Sequence, residues 1–141
     1  MIKVGFKRLT DDAILPVKAH STDSGFDLFA NRDALVIPGE AEVIKTGIAI
    51  KLPPGYEAQV RPRSGVTSKT KLRVQLGTID NEYTGEIGII TDCLEHWPVH
   101  VYKGDKLAQL VIQPVPAVEA YEIDKLPTTE RGTNGFGSSG Y

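Results

Sequence analysis

A chain of 141 residues has room for one domain with a real core and not for two. Its net charge of −2 and pI of about 5.9 lack the basic footprint of a duplex nucleic-acid binder, so any phosphate it holds must be gripped locally. The only cysteine, Cys93, excludes an intrachain disulfide and a thiolate zinc cluster.

Residues 2–8 alternate polar and apolar side chains, which predicts a strand and not a signal peptide. No apolar run approaches the length of a membrane span, so a soluble, cytoplasmic protein is expected. Further strands are expected at residues 25–30, 35–37, 42–52, 56–61, 72–76, 86–91, 99–102 and 107–114, with Pro53-Pro54-Gly55 as a turn. Short alternating runs cut by Gly and Pro predict an all-β sandwich or barrel. The one helix signal is Ser64-Gly65-Val66-Thr67-Ser68-Lys69, with Ser64 as its cap. His96 and His100 flank Trp97-Pro98-Val99 and read as structural, because zinc needs more ligands than two. After Pro127 the chain is dominated by Gly, Ser and Thr without periodicity. Residues 1–127 are therefore expected to form the domain and 128–141 a flexible arm.

Five clusters carry residues suited to nucleotide and phosphate chemistry. In Ser24-Gly25-Phe26-Asp27-Leu28, Asp27 lies between apolar neighbours and needs a partner. Magnesium through water and a nearby arginine or backbone donor fit equally well. In Arg61-Pro62-Arg63-Ser64-Gly65, a guanidinium, a hydroxyl and a glycine N–H meet a helix start, a combination that suits phosphate oxygens.

The third cluster, Gly77-Thr78-Ile79-Asp80-Asn81-Glu82-Tyr83-Thr84-Gly85, reads as a tight reversal between strands at 72–76 and 86–90. A carboxylate held there can polarise a water, and a ring three residues on can pack against a ligand. In the fourth, Lys103-Gly104-Asp105-Lys106-Leu107-Ala108-Gln109-Leu110, the two lysines read as a solvated turn. Gln109 is its polar exception, either a phosphate donor or a satisfied edge amide. The fifth is Arg131-Gly132-Thr133-Asn134-Gly135-Phe136-Gly137-Ser138-Ser139-Gly140. It is neither a Walker loop nor a dinucleotide fingerprint. Phe136 is costly to leave in water, and glycines on both sides would let its ring lie flat on a base.

In this order and at these intervals the clusters resemble the five motifs of the trimeric deoxyuridine triphosphate nucleotidohydrolases (dUTPases), from about Ser21 to the C-terminus. The resemblance implies a distorted jelly-roll or β-clip barrel that assembles as a homotrimer. It implies magnesium-dependent cleavage of dUTP to dUMP and pyrophosphate, which lowers dUTP and supplies dUMP for dTTP synthesis. By similarity Asp80 is the general base, and Asp27 holds the Mg²⁺ hydration shell. Arg63, Ser64 and Gly65 would grip the phosphate chain, with Gln109 near the α-phosphate. Gly77, Thr78 and Ile79 would read uracil through the main chain, and Tyr83 would pack on the sugar and refuse a 2′-hydroxyl. Phe136 and Gly137 would cover the base, with Arg131 and Ser138 at the outer phosphates. Small-molecule dUTP is the implied partner, with no nucleic acid and no membrane.

Two positions depart from the usual pattern: Val74 stands where many bacterial relatives have asparagine, and Gly65 where many members have serine. A deoxycytidine triphosphate deaminase of the same superfamily would need a glutamate near position 90, where this chain has Ile90. A jelly-roll interaction protein without catalysis should have lost Asp80, Tyr83 or the fifth motif, and all three are present.

Overall fold

The computed structural model describes residues 1–140. Among these, eleven short strands and one short helix run in the order β1 (Gly5–Arg8), β2 (Phe26–Phe29), β3 (Ala34–Val36), β4 (Glu42–Lys45), β5 (Ile48–Lys51), β6 (Tyr56–Pro62), α1 (Ser64–Lys69), β7 (Leu72–Val74), β8 (Gly77–Ile79), β9 (Gly88–Cys93), β10 (Val99–Val101) and β11 (Lys106–Pro114). The largest sheet is β2-β11-β6-β8, the next β4-β9-β7, and two ribbons pair β1 with β5 and β10 with β3. Every ladder is antiparallel. The core draws on all four: Leu28, Val60 and Leu110 from the largest sheet, Ile44 and Ile89 from the next, Ile48 from one ribbon, Val36 and Val101 from the other. Alternation explains the layering, since β6 buries Ala58 and Val60 while Gln59 and Arg61 point outward. The result is a jelly-roll type of β fold.

Two expected elements change in ways that matter for the site. The run 42–52 is not one strand, because the chain kinks at Thr46-Gly47 between β4 and β5. Gly47 sits at φ +70°, a conformation that side chains with a Cβ resist. Thr46, almost wholly buried, donates its hydroxyl to the Ile87 carbonyl at 2.7 Å, and the Gly47 N–H donates to Glu86 Oε2 at 2.8 Å. The kink is thus clamped to the far end of the reversal that carries Asp80 and Tyr83.

That reversal is also not a tight hairpin. Strands β7 and β9 do pair, with Arg73 opposite Asp92, and the Arg73 guanidinium holds the Asp92 carboxyl below its ordinary value. Between them, however, Gly77–Ile79 leaves for the other sheet and pairs with β6 as β8. Only Asp80 to Tyr83 forms a turn, closed by the Tyr83 N–H donating to the Asp80 carbonyl at 3.1 Å.

Smaller corrections concern ends: β1 begins at Gly5 and not at residue 2, and the helix cap is Arg63, extended at φ −98° and ψ 137°, and not Ser64. The chain leaves the sheets after Pro114, and residues 115–140 contain no strand or helix. Among the described residues no helix is long and apolar enough to cross a membrane.

A Cβ added at Gly47 would lie 2.6 Å from Asn31 Nδ2 and 2.9 Å from Ala13 Cβ, besides the strain of its φ. Gly47→Ala should therefore cost about 1–2 kcal/mol from the backbone alone, measured as a lowered urea midpoint with an unchanged slope.

Candidate active site

Because β8 ends its sheet, it pairs with β6 on one side only, and its outward N–H and C=O groups have no strand partner. The residues of β8 line a pocket of about 490 Å³ together with Leu76, Asp80 and Tyr83, with Val43, Val60, Glu86, Ile87, Gly88 and Ile90 completing the walls. A backbone edge in an apolar pocket is suited to a flat ring that carries its own donors and acceptors. Asp80 stands exposed at the pocket end of β8. Its turn is held by Asn81, whose amide donates to the Pro53 carbonyl at 2.7 Å and the Tyr56 carbonyl at 2.9 Å. Tyr83 anchors its ring by donating Oη to the Glu86 carbonyl at 2.8 Å. Ile90 lines the same pocket, as do the carboxylates of Asp80 and Glu86.

A second group gathers on the same sheet at β2, β11 and β6. Asp27 is opposite Gln109, and Gln109 is opposite Arg61, so the ladder sets these side chains in a row. Asp27 is 8% exposed, and the arginine its sequence allows stands beside it: Arg63 Nε lies 3.1 Å from its Oδ1. Lys106 Nζ lies 3.5 Å from Oδ2 and completes a triad that the sequence reading missed. A bulge between Lys106 and Ala108 is the cause. It pairs Lys106 with Phe29, which puts the lysine on the face that Phe29 shares with Asp27. The signal was the consecutive apolar pair Leu107-Ala108, both buried, which breaks alternation. Gln109 donates to the Pro62 carbonyl at 3.0 Å, just before Arg63, Ser64 and Gly65. Ser64 and Gly65 are exposed at the start of α1.

Among the described residues no three His, Cys, Asp or Glu side chains cluster to hold a metal. Asp27 stands alone and already between two cations, so a metal held there would have to bring most of its ligands with it as phosphate oxygens and water. Neither Asp27, Arg63, Ser64 nor Gln109 lines the pocket beside Asp80. Arg131, Phe136, Gly137 and Ser138 also stay outside it, in the C-terminal extension. That extension is a series of turns, with Arg131 Nε donating to the Asn134 carbonyl at 2.9 Å and Phe136 fully exposed at φ 53°. One copy of the chain therefore holds the expected residues in three separate groups.

The dUTPase family model matches residues 11–140. Deoxyuridine 5′-triphosphate nucleotidohydrolases from Gloeothece citriformis and Hydrogenobaculum are each 48% identical to this chain, covering 99% of it and 97% and 99% of their own lengths. Among solved structures, Staphylococcus bacteriophage 80alpha dUTPase with dUpNHpp superposes with a TM-score of 0.90 at 33% identity over 99% of both chains. A point mutant of the dUTPase from phage phi11 of S. aureus, which coordinates a structural Mg(II) ion, matches at 0.80 and 31% identity, over 87% of this chain and 97% of that one. The chain belongs to the dUTPase family.

A methyl group on Gly25 would lie 2.7 Å from Gln109 Oε1 and 3.2 Å from the Leu110 carbonyl. Gly25→Ala should cost about 1–3 kcal/mol by overpacking in chemical denaturation. Adding Gln109→Ala should recover part of the loss, because the nearest obstacle is then gone.

Proposed function

We propose that the chain hydrolyses dUTP to dUMP and pyrophosphate, reading the base with strand β8 and activating water with Asp80. The observation that carries this is the pocket in which an unpaired strand edge, a carboxylate and an anchored aromatic ring meet. Uracil offers the edge one donor flanked by two acceptors, whereas cytosine would leave buried main-chain groups unmatched, a strong basis for rejection. A thymine methyl group would be refused by the apolar walls, where Ile87 and Ile90 stand. Tyr83 lies on the sugar and excludes a 2′-hydroxyl.

Asp80 accepts a proton from the water as its oxygen bonds to the α-phosphorus, and the bond to pyrophosphate breaks in line. Arg63, Ser64 and Gly65 grip the phosphate chain, and Gln109 exchanges its bond to Pro62 for one to the α-phosphate. When bound with the triphosphate, Mg²⁺ would supply charge neutralisation at its oxygens. Asp27, held in place by Arg63 and Lys106, would order the water around that ion. The product dUMP feeds dTTP synthesis in the cytoplasm.

The working form is a homotrimer in which neighbouring copies unite the three groups, and residues 128–141 form an arm that closes a neighbour's site. Support comes from the incomplete pocket of one copy and from the extension itself. Val118, Tyr121 and Leu126 stand largely exposed there, an arrangement that a second copy would cover at about 25 cal/mol per Å² of apolar surface. On the arm, Phe136 would cover the base with Gly137, while Arg131 and Ser138 reach the outer phosphates.

Pyrophosphate release with dUTP, dCTP, dTTP and UTP side by side tests the reading, and only dUTP should be turned over at speed. Asp80→Asn should bind dUTP normally while its kcat falls by about a hundredfold or more, the scale of a lost general base. Normal turnover in that variant would remove Asp80 from the chemistry.

A further inference from the structure

Tyr83 is held at its two ends, by its N–H on the Asp80 carbonyl and by its Oη on the Glu86 carbonyl. Its ring then passes directly over Gly85. A methyl group built on the Gly85 α-carbon would lie 2.5 Å from Tyr83 Oη, 2.6 Å from Cζ and 3.0 Å from Cε2. The shortfall from ordinary carbon contact is about 1 Å, largest at the oxygen that makes the anchoring hydrogen bond. Gly85 is not among the glycines at positive φ, so its backbone conformation is open to any residue. What position 85 forbids is a side chain, and the atom in the way belongs to Tyr83. Gly85 itself does not line the pocket, whereas Tyr83 does.

We propose that Gly85 is a specificity-determining residue: its bare α-carbon is the seat that holds the Tyr83 ring at the sugar position and so sets the rejection of ribonucleotides. This rests on the assignment of Tyr83 to the sugar, and it adds a positioning residue behind that ring. Any side chain at 85 displaces Oη from the Glu86 carbonyl. The ring, already 46% exposed, then has solvent to move into. A displaced ring no longer closes the space that a 2′-hydroxyl needs.

The test compares kcat/KM for dUTP and for UTP, with Mg²⁺ present, in the wild type, Tyr83→Ala, Gly85→Ala and the double variant. Gly85→Ala should lower the dUTP-to-UTP ratio by about tenfold, the scale of one steric contact in a pocket. Tyr83→Ala should lower it further, and adding Gly85→Ala to Tyr83→Ala should change it no more. A merely structural glycine would depress both substrates alike and leave the ratio where it was. A lowered ratio in Tyr83→Ala with an unchanged one in Gly85→Ala overturns the seat and leaves the sugar assignment standing. Unchanged ratios in both overturn the two together. If Gly85→Ala is too unstable to assay, its thermal midpoint must recover when Tyr83→Ala is added, and no recovery refutes the seat.

Discussion

Strand β8 is three residues long and hydrogen-bonded on one side only, and the rest of the site is arranged around keeping its other side open. An exposed strand edge usually invites another strand, which is why edges tend to be short, bulged or covered. Here the chain turns away at once through Asp80 to Tyr83, and the next strand, β9, is engaged by β4 and β7 in a different sheet. The residues of β8 thus line an apolar pocket and have no strand partner on their second side. Asn81 fixes one end of this arrangement on the β5–β6 connection, and the Thr46-Gly47 kink fixes the other on Glu86 and Ile87. As the proposed reader of the base, the backbone has its position set by ladders and clamps, not by flexible side chains.

The phosphate side is governed by charge. Arg63 and Lys106 share one carboxylate, and solvent reaches both cations, with side-chain exposures of 32% and 47%. Such partly exposed pairs add little to stability, so the triad is better understood as positioning than as glue. It holds the guanidinium beside Gln109 and the start of α1, where an incoming triphosphate can replace internal bonds with its own. Under the proposed function, the division of residues among three separate groups would give assembly a chemical purpose, since the proposed base reader, phosphate grip and cover do not meet in one copy.

Much of the fold was legible because β6 and β9 alternate cleanly, and Gly or Pro marks both ends of β6, the start of β9 and the end of β11. The second and third motifs were legible as chemistry because few residue types suit those tasks. Strand β8 was not, since Gly and Thr in a three-residue run resemble turn residues, and its partner β6 lies far back in the chain. Lys106 was hidden by a bulge that changes which face it occupies. The kink at Gly47 was hidden because a positive φ leaves no trace in an alternating apolar run. Gly85 looked like ordinary turn chemistry, and only the ring lying across it gives its missing Cβ a meaning.

The central claim is that the outward main-chain groups of Gly77–Ile79 bind the base, and amide hydrogen exchange reads it most directly. Exchange at these three residues should be measured in the free protein and with saturating dUDP and Mg²⁺. At least one amide in the stretch should change from fast exchange to marked protection, while the amides of β6 that already face β8 stay slow throughout. Saturation with nucleotide that leaves all three amides exchanging as in the free protein would contradict the account.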